Sequence, residues 1–227
     1  MSTSTSRKKS TRQSREVRTT AILEAARSVF EQRGYDKATV AEIAELVGVV
    51  EGTVFSYFSS KRMLVLKVME QFYEEITSLI EEGLQGVNGT RNQLHYVIWN
   101  HLNIVKKNAA LAGVILRESR GLDEQLSDEV HNLNKRYTQS ISAIVKEGIK
   151  AGDIKADTSP SLVRNSIFGT IEHYMWEILG GQVQVNIDEV AHSLTELIFN
   201  GIAHVDTEVN RSDVNRLISK LNRLIDG

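Results

Sequence analysis

With 227 residues, 41% of them hydrophobic and 25% charged, the chain has enough apolar material to build a sizeable core as one compact unit or two fused ones. It contains no cysteine, which removes disulfides, thiolate metal sites and cysteine nucleophiles and fits a reducing compartment. The first residues lack the apolar centre of a secretion signal, and the apolar stretch Ala109 to Leu116, interrupted by Gly113, is too short to span a bilayer. The expectation is a cytoplasmic protein without a membrane partner.

The net charge of −2 is unevenly spread: residues 1–20 carry Arg7, Lys8, Lys9, Arg12, Arg15 and Arg18 against Glu16, a local excess of +5. A basic arm on an acidic body suggests that one end of the molecule meets a polyanion, while the bland alternative is a solvated tail. Residues 1–14 are read as this flexible arm. Proline occurs once, at Pro160, and apolar residues recur at three- and four-residue spacing almost everywhere, so the fold class is all-α.

A first helix is expected over Arg15 to Arg33, with Ile22, Ala25, Ala26, Val29 and Phe30 inward and Gly34 closing it. Thr39-Val-Ala-Glu42 is a capping box that opens a short helix with Val40, Ile43, Ala44 and Val47 inward, ended by Gly48. The segment Gly48 to Glu51 is a turn, and a third helix spans about Glu51 to Phe58. Ser59 or Ser60 caps a long fourth helix carrying Met63, Leu66, Met69, Phe72, Ile76 and Ile80 on one face, to about Gly83. Beyond residues 83–89, helices are expected over Arg91–Lys107, Ala109–Ser119 and Asp123–Ala151. Another is opened by Pro160 after Ser159 and reaches Leu179, closed by Gly180-Gly181; Asp188–His204 and Ser212–Ile225 complete the set.

The second and third helices with their glycine-containing turn have the form of a helix-turn-helix, whose second helix faces a DNA major groove. Short helix pairs also occur as plain core elements; the adjoining basic arm favours DNA. The stretch Val29-Phe-Glu-Gln-Arg-Gly-Tyr35, then Thr39-Val-Ala-Glu-Ile-Ala-Glu-Leu-Val-Gly48, then Gly52-Thr-Val-Phe-Ser-Tyr-Phe58 with Ser60-Lys61, closely resembles the TetR family. The resemblance implies a helix-turn-helix DNA-binding domain over residues 15–60, a helical effector-binding and dimerisation domain over residues 61–227, and a homodimer on palindromic double-stranded operator DNA.

By that resemblance Thr39 and Lys61 contact phosphate, Glu51, Gly52, Thr53 and Ser56 form the exposed face of the recognition helix, and Tyr57 reaches the backbone or a base. Val49, Val54 and Phe58 pack. Two positions depart from the family pattern: Phe55 stands where many relatives have tyrosine, and Val50 where a capping Ser or Thr is common. With no arginine, asparagine or glutamine from residue 51 to 58, bidentate base readout there is not expected, which leaves thymine-methyl contacts, hydroxyls and DNA shape.

The helix after Pro160 has an apolar stripe too wide for a single core, and the following one, with Val190, Leu194, Leu197, Ile198 and Phe199, behaves alike. Relatives build a dimer interface from this pair, here about 160–179 and 188–204; burial within a monomer is the alternative. The region between the fourth helix and the helix after Pro160 is expected to hold an apolar effector cavity drawn from Trp99, Leu102, Val114, Leu116, Tyr137, Ile141, Ile144, Phe168, Ile171 and Met175, many of them equally suited to ordinary core. Arg117 and Arg120, three residues apart, suit an anionic headgroup, or equally salt bridges to Glu118, Asp123 or Glu124.

Leu116-Arg117, the Tyr137 helix, Val145 to Ile154 and Ile167-Phe-Gly-Thr-Ile-Glu172 resemble the acyl-CoA-responsive subgroup that represses fatty-acid degradation genes, which implies a long-chain fatty acyl-CoA as inducer. A multidrug-type sensor repressor of an efflux pump and a DNA-binding regulator without a small ligand remain as alternatives. No cofactor is expected. The histidines (His95, His101, His131, His173, His192, His204) fall in no metal-ligand spacing, and neither a phosphate-cradling loop nor a nucleophile elbow is present, so an enzyme is not expected.

Overall fold

The computed structural model describes residues 3–121, 123–180, 185–204 and 218, with side chains from residue 15 onward. Gly181, the basic side chains of residues 7–12 and, apart from Ile218, the helix expected over Ser212 to Ile225 lie outside the described residues.

The chain opens with α1 (Thr3–Lys37), interrupted at Gly34, whose φ of 74° breaks the ladder and suits glycine. Its backbone begins well before the expected Arg15, in keeping with a stretch that has neither proline nor glycine before Gly34. Ile22, Ala26, Val29 and Phe30 are buried as the periodicity requires. At α2 (Val40–Val47) the capping box forms in full: the Glu42 amide donates to Thr39 Oγ1 at 3.2 Å, and the Thr39 amide donates to Glu42 Oε2 at 3.0 Å. Gly48, at φ 70°, closes the helix in the left-handed conformation. The next helix, α3 (Glu51–Tyr57), starts from Val50 with no side-chain cap. Ser60 Oγ then accepts from the Met63 amide at 3.1 Å and starts α4 (Lys61–Leu84). Met63 itself points outward, against expectation, and Leu64 and Val65 take the inward positions.

The body continues with α5 (Thr90–Lys107), α6 (Ala109–Glu118), α7 (Glu124–Tyr137), α8 (Gln139–Ala151), α9 (Pro160–Gly180) and α10 (Ile187–Ile202). Sequence periodicity suggests one helix from Asp123 to Ala151, whereas the structure breaks it at Thr138. There the hydroxyl donates to the Lys135 carbonyl at 3.2 Å, a local bond that competes with the helical ladder, and beyond it α8 packs along α9 and α5.

Helices α1 to α3 form the head, and α1 also packs on α4 and α6. In the body α5 is central, touching α4, α6, α8, α9 and α10, while α7 lies along α4. Fully burying Ile22, Phe30, Ile43 or Leu64 stabilises by about 1.5–3 kcal/mol each, more than a cap's ~1 kcal/mol, so packing decides the arrangement and caps set its edges. An antiparallel bridge between Ile154 and Ala203 ties the end of α8 to the end of α10. Among the described residues no helix is long and apolar enough to cross a membrane.

Candidate nucleic-acid interface and effector cavity

The outer face of α3 is open. Glu51, Gly52, Phe55 and Ser56 are exposed, Thr53 and Tyr57 are half-buried, and Val54 and Phe58 point into the head core. Ser56 Oγ is folded back onto the Thr53 carbonyl at 2.6 Å. Phe55, 45% exposed, is a large apolar ring on the surface of α3, with Leu46 and Val50 exposed nearby in the chain. The Arg15 guanidinium lies 5.6 Å from the Tyr57 ring centre, which brings a cation of α1 to the same surface. In the sequence Arg15 stands in the basic run and at the start of the first helix; its place over Tyr57 becomes visible once α1 and α3 are packed.

Two expected phosphate contacts have partners within the head. The Thr39 hydroxyl is engaged on both sides by Glu42, accepting from its amide and donating to Oε2 at 3.0 Å. Those hydrogen bonds from the Thr39 amide and hydroxyl hold the Glu42 carboxyl below the usual carboxylate range. Lys61 Nζ donates to the carbonyls of Tyr35, Asp36 and Ala38 at 2.9, 3.3 and 3.1 Å, and lies 4.6 Å from the Tyr35 ring centre. Its three N–H groups thus cap the end of α1.

A cavity of about 400 Å³ opens between α4, α5, α6, α7 and α9, within the range of small-molecule sites. Phe72, Tyr73 and Ile76 of α4 and Ile104 of α5 give it apolar walls; Arg120, His131, Asn134, Asn165 and Glu172 bring polar groups to it. Of the expected ligand residues, Leu116, Arg120, Tyr137, Phe168 and Met175 line it. The others do not. Trp99 is two residues from His101 and so points the opposite way on α5, where its Nε1 donates to Asp188 Oδ1 of α10 at 2.6 Å. Leu102, Ile141 and Ile171 are fully buried in the core. Arg117 is turned toward the head, its Nη2 3.5 Å from where a Cβ on Gly34 would stand. Arg120 forms an ion pair with Glu172 of α9, not with the nearby acids of its own loop.

His101 is one of the cavity residues that sequence reading missed. A signal was present: Val97 and Val105, four residues either side, are apolar, so the histidine occupies an inward position of α5. Desolvation by burial pushes its pKa down from 6.5 to about 4, so the ring is neutral at pH 7. Among the described residues no group of three or more potential ligands could hold a metal ion.

Head and body meet in a polar seam. Arg27 of α1 donates to Glu31 at 3.0 Å, to Glu75 of α4 at 3.3 Å and to Asn108 at 3.1 Å, and its guanidinium carbon lies 5.7 Å from the Phe72 ring centre. Arg62, at the start of α4, pairs with Asp123 at 3.6 Å. The Tyr35 phenol beside this seam is raised above its ordinary range, by burial first and then by the charge of Asp123 and Glu118.

Comparison with known proteins accounts for both parts of this arrangement. Residues 22–68 match the bacterial regulatory proteins of the tetR family, and residues 66–201 match the C-terminal region of the YsiA-like protein. The chain belongs to the TetR family. The fatty acid metabolism regulator protein of Bacillus subtilis is 27% identical over 181 residues, spanning 80% of this chain and 93% of that one. The repressor KstR2 of Rhodococcus jostii is 22% identical, over 82% of this chain and 91% of its own. Among solved structures, FadR from Bacillus subtilis in complex with stearoyl-CoA superposes with a TM-score of 0.72 at 27% identity, covering 81% of this chain and 98% of that one. Membership explains why the head's pattern was readable over a contiguous stretch, whereas the cavity of this TetR-family protein is assembled from five helices, with lining residues spread from Phe72 to Met175.

Proposed function

We propose that this protein is a ligand-responsive transcriptional repressor that binds operator DNA as a dimer and releases it on binding a fatty acyl-CoA. The observation that carries the reading is the cavity: apolar walls for a hydrocarbon chain, and at Arg120 a cation suited to the anionic part of a thioester. Each methylene buried there contributes about 0.8 kcal/mol, so a long chain supplies ample affinity. The likeness to a Bacillus subtilis regulator whose structure holds stearoyl-CoA favours this ligand class over a lipophilic cation.

DNA engagement is assigned to the open face of α3, with Glu51, Gly52, Thr53, Phe55, Ser56 and Tyr57, helped by Thr39 and the basic residues of α1; the place of action is the cytoplasm. Dimerisation is assigned to α9 and α10, where Leu162, Trp176 and Leu197 are exposed, Leu197 at 74%. Two heads on a two-fold axis would then read half-sites ~34–36 Å apart or a multiple of that. Ligand in the cavity would press on α4 through Phe72, Tyr73 and Ile76, and α4 carries the head. A coupling of about 1–3 kcal/mol gives a 5- to 150-fold loss of operator affinity.

Fluorescence anisotropy on DNA from the protein's own upstream region tests this. Stearoyl-CoA should release the protein, while coenzyme A alone and a lipophilic cation should not. Operator affinity unchanged at saturating acyl-CoA would overturn the effector assignment, and no affinity for DNA at low salt would overturn the whole reading.

A further inference from the structure

Among the aromatic and aliphatic groups of the cavity, His101 is a nitrogen base held in a fixed pose. Its ring stacks on Tyr137 with centroids 5.2 Å apart and meets Phe168 edge-on at 5.0 Å. Nδ1 and Tyr137 Oη are 2.6 Å apart. Among the described residues no buried side-chain nitrogen or oxygen lacks a partner, and Nδ1 is the ring atom that meets Tyr137. Nε2 is therefore the nitrogen with access to cavity space.

The proton positions follow from the partners. Burial keeps His101 neutral, with one N–H, and burial together with the neighbouring Tyr73 raises the Tyr137 phenol well above its usual range, so the phenol keeps its proton. The proton of Tyr137 has Nδ1 as its acceptor, so Nδ1 takes it and the imidazole hydrogen sits on Nε2. The opposite tautomer would leave a buried phenol proton without an acceptor. The result is one N–H donor facing into the cavity. Such a donor is costly when unmatched and selects a ligand with an oxygen at that place.

We propose that His101 Nε2–H, oriented by Tyr137 as a positioning residue, is the donor that binds the thioester carbonyl of the effector. This rests on the acyl-CoA reading above and deepens it. The hydrocarbon then lies along Phe72, Ile76 and Ile104, and the rest of the ligand leaves by way of Arg120. The site recognises the ester function as well as the chain, so a ligand of equal length without the carbonyl is a poorer fit.

The test is calorimetric titration of the full-length protein with palmitoyl-CoA and with S-hexadecyl-CoA, its thioether counterpart in which a methylene replaces the carbonyl. Wild type should prefer the thioester by about three- to tenfold, the range of one hydrogen bond. His101→Phe, which keeps an aromatic ring, should abolish that preference while binding the thioether as well as wild type does. Tyr137→Phe should reduce it. Infrared spectra of carbonyl-13C palmitoyl-CoA should show a lowered stretching frequency on wild type and none on His101→Phe, a readout that a purely structural role would leave unmoved. Equal wild-type affinity for the two ligands overturns the proposal and leaves the acyl-CoA reading intact; this comparison needs no variant to fold. Persistence of the preference in His101→Phe overturns it as well. Failure of both ligands to bind wild type overturns the proposal together with the effector class.

Discussion

Lys61 separates two roles that a family pattern cannot distinguish, an outward phosphate contact and an inward clamp. Replacing it by methionine keeps much of the aliphatic stem and deletes the ammonium. Three carbonyls, at 2.9, 3.3 and 3.1 Å, lose their donor, and the Tyr35 ring loses a cation 4.6 Å from its centre. A hydrogen bond to a charged group is worth about 1.5–3 kcal/mol and an exposed cation–π contact about 0.5–1 kcal/mol. Because Lys61 is only half-buried, water takes over part of the lost bonding, and the net loss should be about 1–3 kcal/mol. Urea unfolding of the variant should show the midpoint lowered with the slope unchanged. Operator binding, followed across salt concentrations, should weaken with the same dependence of log K on log salt as wild type. A lost phosphate contact would instead flatten that slope by about 0.9 per contact. Unaltered stability combined with a flattened slope would refute the clamp and return the ammonium to the DNA.

Three further outcomes follow from the geometry. His101 titrates at about 4 in the fold against 6.5 ordinarily, so the unfolded chain binds the extra proton between those values; stability from this group is complete above pH 6.5 and is lost as pH falls toward 4, by at most about 3 kcal/mol, and the decline measured by denaturation should be shallower in His101→Phe. Gly148→Ala places a Cβ 2.7 Å from Thr90 Cγ2 and 2.8 Å from Ile154 Cδ1 where α5 and α8 meet, and should lower stability by about 1–3 kcal/mol in a thermal melt; an unchanged melt would mean that the two helices separate without cost. Arg120→Ala breaks a partly exposed pair with Glu172 and should alter stability by no more than about 1 kcal/mol, while weakening acyl-CoA binding several-fold in titration; full retained affinity would exclude the guanidinium from ligand contact.

What could be read from the sequence was what is local. Thr39 and Glu42 are three residues apart, so their box is written in a single turn, and Gly48 and Gly152 end α2 and α8 because a left-handed residue is needed one step beyond each. Pro160 opens α9 by the same kind of one-residue logic. The cavity is different in kind. Leu116, Arg120, Tyr137, Phe168 and Met175 line it, yet Trp99 and Leu102 on the same helix as His101 face elsewhere, because one or two positions along a helix turn a side chain by about 100° or 200°. Arg120 finds Glu172 across the bundle, and α8 beyond the break at Thr138 packs along α9, so neither is decided within its own segment.

The seam between head and body argues for how occupancy of the cavity could be felt by α3. Phe72 lines the cavity and also lies within 5.7 Å of the Arg27 guanidinium, which in turn bonds α1 to Glu75 of α4 and to Asn108 at the start of α6. α6 carries Leu116 on the cavity wall and Arg117 against Gly34, where α1 is already interrupted. A ligand that displaces Phe72 or Leu116 therefore meets α1 at two points, at Arg27 within its packed stretch and at Gly34 beyond it. Since Ile22, Phe30 and Ile43 are wholly buried, the head is expected to turn as a rigid unit about α4, not to deform, and a rigid turn alters the spacing of paired recognition helices without disturbing the face of either one.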